Sequence, residues 1–102
     1  MTAGKPKIGK IDYTLFSEFL LHRLGKADLT VIVPPRTGID AGVVDIGSGR
    51  GLIIAEDPIF AVPKQPLEMF GWYTVHIGAS DVAVMGVKPQ YMTYSLLLPP
   101  ET

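Results

Sequence analysis

The chain has 102 residues, which is the size of one small domain and excludes two stacked domains. Hydrophobic residues make up 47% and charged residues 19%, so the chain can bury a core and is not a disordered segment. The formal net charge is −1, so the chain as a whole has no positive charge that would attract nucleic acid or an anionic membrane. With no cysteine, disulfides, thiolate zinc sites and a cysteine nucleophile are excluded. We expect a soluble, cytoplasmic protein that binds neither nucleic acid nor membrane.

The first third of the chain predicts an arm, a helix and a strand. Residues 1–9 mix Gly, Pro and Lys, which indicates a flexible arm before a domain at 10–102. Asp12 is suited to the N-cap of an amphipathic helix of about three turns, and Gly25 to its C-terminal end. The β-branched run Leu29–Val33 predicts a strand, which two prolines end.

Two short apolar runs, Val43–Ile46 and Leu52–Ala55, predict a β-hairpin. They are joined by Gly47–Gly51, whose sequence Gly-Ser-Gly-Arg-Gly also resembles a phosphate-binding loop. A phosphate loop leads into a helix, whereas this one leads into a second strand-forming run. The hairpin turn is therefore the favoured interpretation.

The second half predicts a loop, a long helix and a strand. Prolines on both sides of Ile59–Gln65 favour a loop. Leu67–Gly86 is proline-free and apolar around much of its circumference, which predicts a mostly buried helix. Tyr91–Leu98 has apolar or aromatic residues on both faces, as is typical of a strand inside a sheet. The order of these elements predicts an α+β domain.

Three aspartates are the strongest candidates for chemistry. Asp81 lies in an otherwise uncharged stretch, so it is either paired or cation-bound, or part of a solvent-facing wedge of the helix. Asp40 and Asp57 follow turn or strand positions where loops present side chains to ligands, although each also fits a turn cap. If the three converge, their oxygens suit a hard cation such as Mg²⁺.

The remaining polar and aromatic candidates have ordinary explanations. His22 fits the polar face of the first helix, and neither histidine has the spacing to a second metal ligand. His76 lies near Ser80 on the long helix, either as a hydrogen-bonded core histidine or facing a ligand groove. Trp72 and Tyr73 are expected to be core or interface anchors, because no basic residues alternate with them.

The aspartates lie in three segments, Gly38–Val44, Glu56–Ile59 and Ala79–Pro89, the last of which reads Ala-Ser-Asp-Val-Ala-Val-Met-Gly-Val-Lys-Pro. Together these segments resemble the N-terminal half of the AIR (aminoimidazole ribonucleotide) synthetase superfamily. That group includes the hydrogenase-maturation carbamoyl dehydratase, thiamine-monophosphate kinase and selenophosphate synthetase. Gly9–Ile11 and the helix after it are most similar to the hydrogenase-maturation branch and its AIR-synthase-related relatives.

The resemblance implies a fold, a cofactor and a set of site residues. It implies a small mixed sheet flanked by helices, paired in a homodimer whose sheets close into a shared β-barrel. The metal ligands that it implies are Asp40, Asp57 and Asp81, which would bind Mg²⁺. The positions that it implies beside ATP are Gly38, Asp40, Ser80 and Asp81. The family reaction phosphorylates an acceptor or activates the oxygen of an amide, carbamoyl or similar small substrate.

Two functions from different classes remain open at this point. The chain ends at Thr102, before the family's later Gly-Gly-Asp-Thr segment and its C-terminal domain, so the resemblance covers an ATP-binding half. One hypothesis is the Mg-ATP-binding domain of a longer enzyme, whose missing half selects the substrate. The other is a dimerisation or regulatory module that keeps the fold without ATP chemistry, and it predicts a dimer indifferent to Mg-ATP.

Overall fold

The computed structural model describes residues 8–100, and the first seven residues of the predicted arm at residues 1–9 lie outside that range. The first helix is confirmed, although the type of helix changes along its length. It consists of an α-helical turn, α1 (Tyr13–Leu15), a π-helical turn (Phe16–Leu20) and a 3₁₀ turn (Leu21–Arg23). The Asp12 carboxylate caps its start by accepting from the Thr14 N–H at 2.9 Å.

Three strands form an antiparallel sheet in the order β1-β2-β3, namely β1 (Val31–Val33), β2 (Gly42–Gly47) and β3 (Arg50–Ile54). The hairpin of β2 and β3 confirms the prediction and rules out the phosphate-loop interpretation. Ser48 and Gly49 form its two-residue turn, and both have positive φ, 55° and 71°.

The expected loop over Ile59–Gln65 is wrong at its start, because β4 (Pro58–Phe60) is a strand. Proline is tolerated as the first residue of a strand, where no ladder N–H is required. Helix α2 (Leu67–Ala83) follows, and β5 (Ser95–Leu97) then pairs with β4 in parallel. The expected eight-residue interior strand Tyr91–Leu98 is thus wrong for this chain, since only three of its residues pair and β5 has one neighbour.

Few side chains are buried in the single chain. Only Ala41 and Ile59 are buried hydrophobics among the residues that the structure describes, each 4% exposed. The prediction of a mostly buried long helix is wrong, because α2 has no buried residue. It ends at Ala83, three residues before Gly86, whose φ of +85° takes the chain away from the helix.

The molecule is flat, with extents of 45 × 44 × 22 Å. Its Cα radius of gyration is 16.8 Å, against about 13 Å for a compact domain of this length. The α+β prediction is confirmed as a small mixed α/β domain with an antiparallel sheet and helices. The single mixed sheet is a correction, because the strands form two separate sheets of three and two strands.

Candidate functional site

Three different elements carry the three aspartates. Asp40 is exposed in the loop before β2, Asp57 is half-buried in the link between β3 and β4, and Asp81 is half-buried in the last turn of α2. The carboxyl groups of Asp57 and Asp81 lie within hydrogen-bonding distance of each other, and Asp40 is close enough for its charge to act on Asp81. The structure therefore brings two of the three predicted residues, Asp57 and Asp81, into contact and leaves Asp40 at longer range.

The electrostatics of Asp81 reflect this convergence. Its pKa is raised from 3.8 to about 6, chiefly because its protonated carboxyl donates a hydrogen bond to Asp57. Partial burial raises the pKa further, as do the negative charges of Asp57 and then Asp40. Asp81 is therefore paired with another carboxyl group as well as partly open to solvent, and His76 and Ser80 beside it on α2 are exposed. A cation between these carboxylates would remove the repulsion that raises the pKa of Asp81.

Lys10 is a further member of this neighbourhood, and reasoning from the sequence missed it. Its ammonium group is close enough to Asp81 to lower the pKa of that carboxyl, against the effect of the two other aspartates. The sequence placed Lys10 at the edge of a flexible arm. The one signal that could have found it was its position in the segment Gly9–Ile11, which carries part of the family resemblance.

Two clefts border the aspartates. The larger, of about 580 Å³, lies between residues 51–57 on one side, residues 87–95 on the other, and α2. Asp57 is among the residues that line it. The smaller, of about 280 Å³, is lined by Asp40 together with Arg36, Glu56 and Phe16. Asp57 thus lines one open space and Asp40 the other, and both spaces are of the size that small ligands occupy.

Two further predicted nucleotide-contacting positions, Gly38 and Ser80, are less distinctive. Gly38 has a φ of +82° in the loop before Asp40, which favours glycine whatever that loop binds. The Ser80 hydroxyl donates to the Ile77 carbonyl of its own helix at 3.1 Å. Ser80 directly precedes Asp81 on α2, so it is next to a site residue. Its hydroxyl, however, already has a hydrogen-bond partner within the helix.

The histidine and aromatic residues of α2 form a separate surface cluster. The His76 ring stacks on Trp72 with centroids 3.8 Å apart, and its Nδ1 donates to the Trp72 carbonyl at 2.8 Å. Trp72 also meets Tyr73 edge to face at 5.5 Å. All three are exposed, so the interpretation of His76 as a core histidine is wrong, and so is a core role for Trp72.

The donor chemistry of the three aspartates fits Mg²⁺, although the side chains are not preassembled around an ion. Within residues 8–100, no three histidine or carboxylate side chains are grouped closely enough to hold a metal by themselves. Mg²⁺ does not require such a cage, because it usually takes one or two carboxylates and completes its shell with water and phosphate oxygens. The adjoining pair Asp57 and Asp81, with Asp40 nearby, meets that requirement.

The fold and this site define a small α/β domain with an acidic centre where a strand link meets the end of a helix. Residues 38–102 match the family described as AIR synthase related protein, N-terminal domain, and the chain belongs to that family. The match includes all three aspartates and every strand from β2 onward. No curated protein and no solved structure gives a significant match to this chain.

Over residues 8–100, no helix combines the length and the apolar character needed to cross a membrane.

Proposed function

We propose that this chain is the Mg-ATP-binding N-terminal domain of a cytoplasmic AIR-synthase-related enzyme that phosphorylates or activates an amide, carbamoyl or similar substrate. Membership of the AIR-synthase-related N-terminal domain family supports this proposal. The hydrogenase-maturation branch is the part of the superfamily that Gly9–Ile11 resembles most.

The observation that carries the proposal is the meeting of Asp57 and Asp81 within hydrogen-bonding distance, with Asp40 adding its charge. Placing like charges together costs stability, and such an arrangement is typical of a site that binds a cation. Asp57 from the β3–β4 link and Asp81 from α2 would both bind Mg²⁺. Asp40 lines the smaller cleft. When bound, the ion supplies positive charge that attracts and orients the phosphates of ATP.

Calorimetric titration with a non-hydrolysable ATP analogue tests the proposal directly. We expect binding in the presence of Mg²⁺ and none in the presence of a chelator. Asp81→Asn should lower the affinity by about tenfold to a hundredfold, because one charged ligand contributes roughly 1.5–3 kcal/mol. The change preserves side-chain volume, so it removes charge without creating a cavity.

Asp45→Asn is the matched control. Asp45 is also an aspartate, but its carboxylate accepts from the Gly47 N–H at 2.8 Å at the far end of the hairpin. The control variant should bind the analogue as the parent does. Equal affinity of the parent and Asp81→Asn, or binding that ignores Mg²⁺, would contradict the proposed site.

A second candidate function is a dimerisation module without ATP chemistry, in which the chain pairs with its own copy. The outer face of the β1–β3 sheet favours it, because its side chains are apolar and exposed. They include Ile46 at 53%, Leu52 at 46% and Ile54 at 49% exposure. A homodimer is common to both functions, so only nucleotide binding separates them. A dimer that leaves the ATP analogue unbound in Mg²⁺ supports the module.

A further inference from the structure

The smaller cleft combines acidic side chains with a basic one. This space of about 280 Å³ is lined by the charged residues Arg36, Asp40 and Glu56, and its wall also includes Phe16, Pro34 and Ile39. Asp40 belongs to the proposed metal site. Arg36 precedes the segment that matches the family, residues 38–102, so the match gives this arginine no part in the site.

One short loop presents Arg36 and Asp40 to the same cleft. The loop leaves β1 through Pro34 and Pro35, whose rings restrict φ and so limit the motion of the chain that leads to Arg36. A turn at Thr37 and Gly38 follows, with a φ of +82° at Gly38. The backbone therefore keeps a guanidinium and a carboxylate beside one space.

The guanidinium of Arg36 has no partner in the part of the chain that the structure describes. Over residues 8–100 it donates no hydrogen bond and forms no ion pair, although two carboxylates line the same cleft. Arg23, in contrast, donates to the Phe19 carbonyl at 2.7 Å. The N–H donors of Arg36 are thus open to a ligand.

The mixture of charges narrows the chemical class of that ligand. A lone anion would be repelled by Asp40 and Glu56, and a lone metal ion would leave Arg36 without a partner. A complex of a divalent cation with phosphate carries both signs of charge. Carboxylates bind Mg²⁺, and the planar guanidinium binds two phosphate oxygens through parallel hydrogen bonds.

We propose that Arg36 binds phosphate oxygens of Mg-ATP in the smaller cleft, beside the carboxylate of Asp40. The inference rests on the proposed function and adds to it a residue that contacts the phosphates, whereas the aspartates hold the metal. An arginine suits this role better than a lysine, because its fork of donors matches the geometry of a phosphate and a lysine offers only a point charge.

Calorimetric titration with inorganic tripolyphosphate tests this contact, because the probe has the phosphates of ATP without its base and ribose. In Mg²⁺, Arg36→Gln should lower the affinity about tenfold or more, and Arg36→Lys should recover part of the loss. The non-hydrolysable ATP analogue should show the same order of affinities. Arg36 is exposed, so neither change removes a buried contact.

Arg50→Gln is the matched control. Arg50 is also exposed, but it begins β3 at the hairpin turn, whereas residues at the other end of that strand line the cleft. This variant should bind both probes as the parent does.

The outcomes separate this inference from the proposed function. If the parent binds in Mg²⁺ and Arg36→Gln binds equally well, the inference is wrong and the proposed function is unaffected. The same conclusion follows if Lys88→Gln loses the affinity that Arg36→Gln retains, since Lys88 lines the larger cleft. If the parent binds neither probe in Mg²⁺, the proposed function and the inference are both wrong.

Discussion

At the scale of single residues, Asp81 lowers the stability of the metal-free chain, and it is also a proposed metal ligand of the site. A folded-state pKa of about 6, above the ordinary 3.8, means that the folded chain binds a proton more tightly than the unfolded chain. Asp81 therefore reduces stability progressively as the pH rises from about 4 to about 6, and the full cost is present at pH 7. Its neighbours Asp57 and Asp40 cause that cost, and a bound cation would remove it.

We predict that Asp81→Asn stabilises the metal-free chain at pH 7 and has little effect at pH 4. A shift of about two pKa units corresponds to at most about 3 kcal/mol, and solvent screening of this half-buried carboxyl leaves on the order of 1 kcal/mol. Urea unfolding in a chelating buffer at both pH values measures the difference. Asp45→Asn should show no such pH-dependent gain. Lower stability of Asp81→Asn at pH 7 would mean that repulsion is not the dominant interaction there.

At the scale of elements, the β2–β3 hairpin depends on its turn. Ser48 and Gly49 both occupy the left-handed region that a two-residue turn of this kind requires. A Cβ at Gly49 would meet nothing within 4 Å, so replacing this glycine tests backbone conformation alone. Asp45 adds local support by accepting from the Gly47 N–H.

We predict that Gly49→Ala destabilises the chain by about 1–2 kcal/mol, because an L-residue with a Cβ is strained at positive φ. Ser48→Asn should have the opposite sign, with a gain of a few tenths of a kcal/mol, since Asn tolerates this conformation better. Thermal unfolding of both variants and of the parent chain measures the two changes in stability. If Gly49→Ala is neutral, the turn does not hold its left-handed conformation in solution.

At the scale of the whole molecule, the flat shape and the small core indicate surfaces that need a partner. The molecule is only 22 Å thick, and the apolar side chains on the outer face of the β1–β3 sheet are exposed. Apolar sheet faces are covered by another layer in stable domains, commonly by a second sheet about 10 Å away. A second copy of the chain would supply such a sheet, as in the homodimer that the family resemblance implies.

We predict a dimer of twice the 11.0 kDa chain mass in sedimentation equilibrium. Leu52→Lys places a charge in the outer sheet face and should shift the equilibrium to monomer, because an unpaired charge is costly to bury. Trp72→Lys is the control, since Trp72 is 58% exposed and lies on α2, not in the β1–β3 sheet. A Leu52→Lys variant that stays dimeric while Trp72→Lys dissociates would place the interface on the helix.

The sequence alone determined the features that depend on near neighbours. The Asp12 cap, the glycine turn of the hairpin and the start of α2 after Pro66 follow from the conformational preferences of a few adjacent residues. The choice of the three aspartates as a set came from their segments and from the family resemblance. It did not require knowledge of where they lie in space.

Only the tertiary structure decided which distant segments meet. The pairing of Pro58 with Ser95 spans the whole of α2, and the free energy of such a contact depends on packing that no local pattern records. For the same reason, the predictions from the sequence missed β4, made the strand at β5 too long and did not include Lys10 in the site. The contact of Asp57 with Asp81 also belongs to this level, since it exists only because the fold brings the β3–β4 link close to the end of α2.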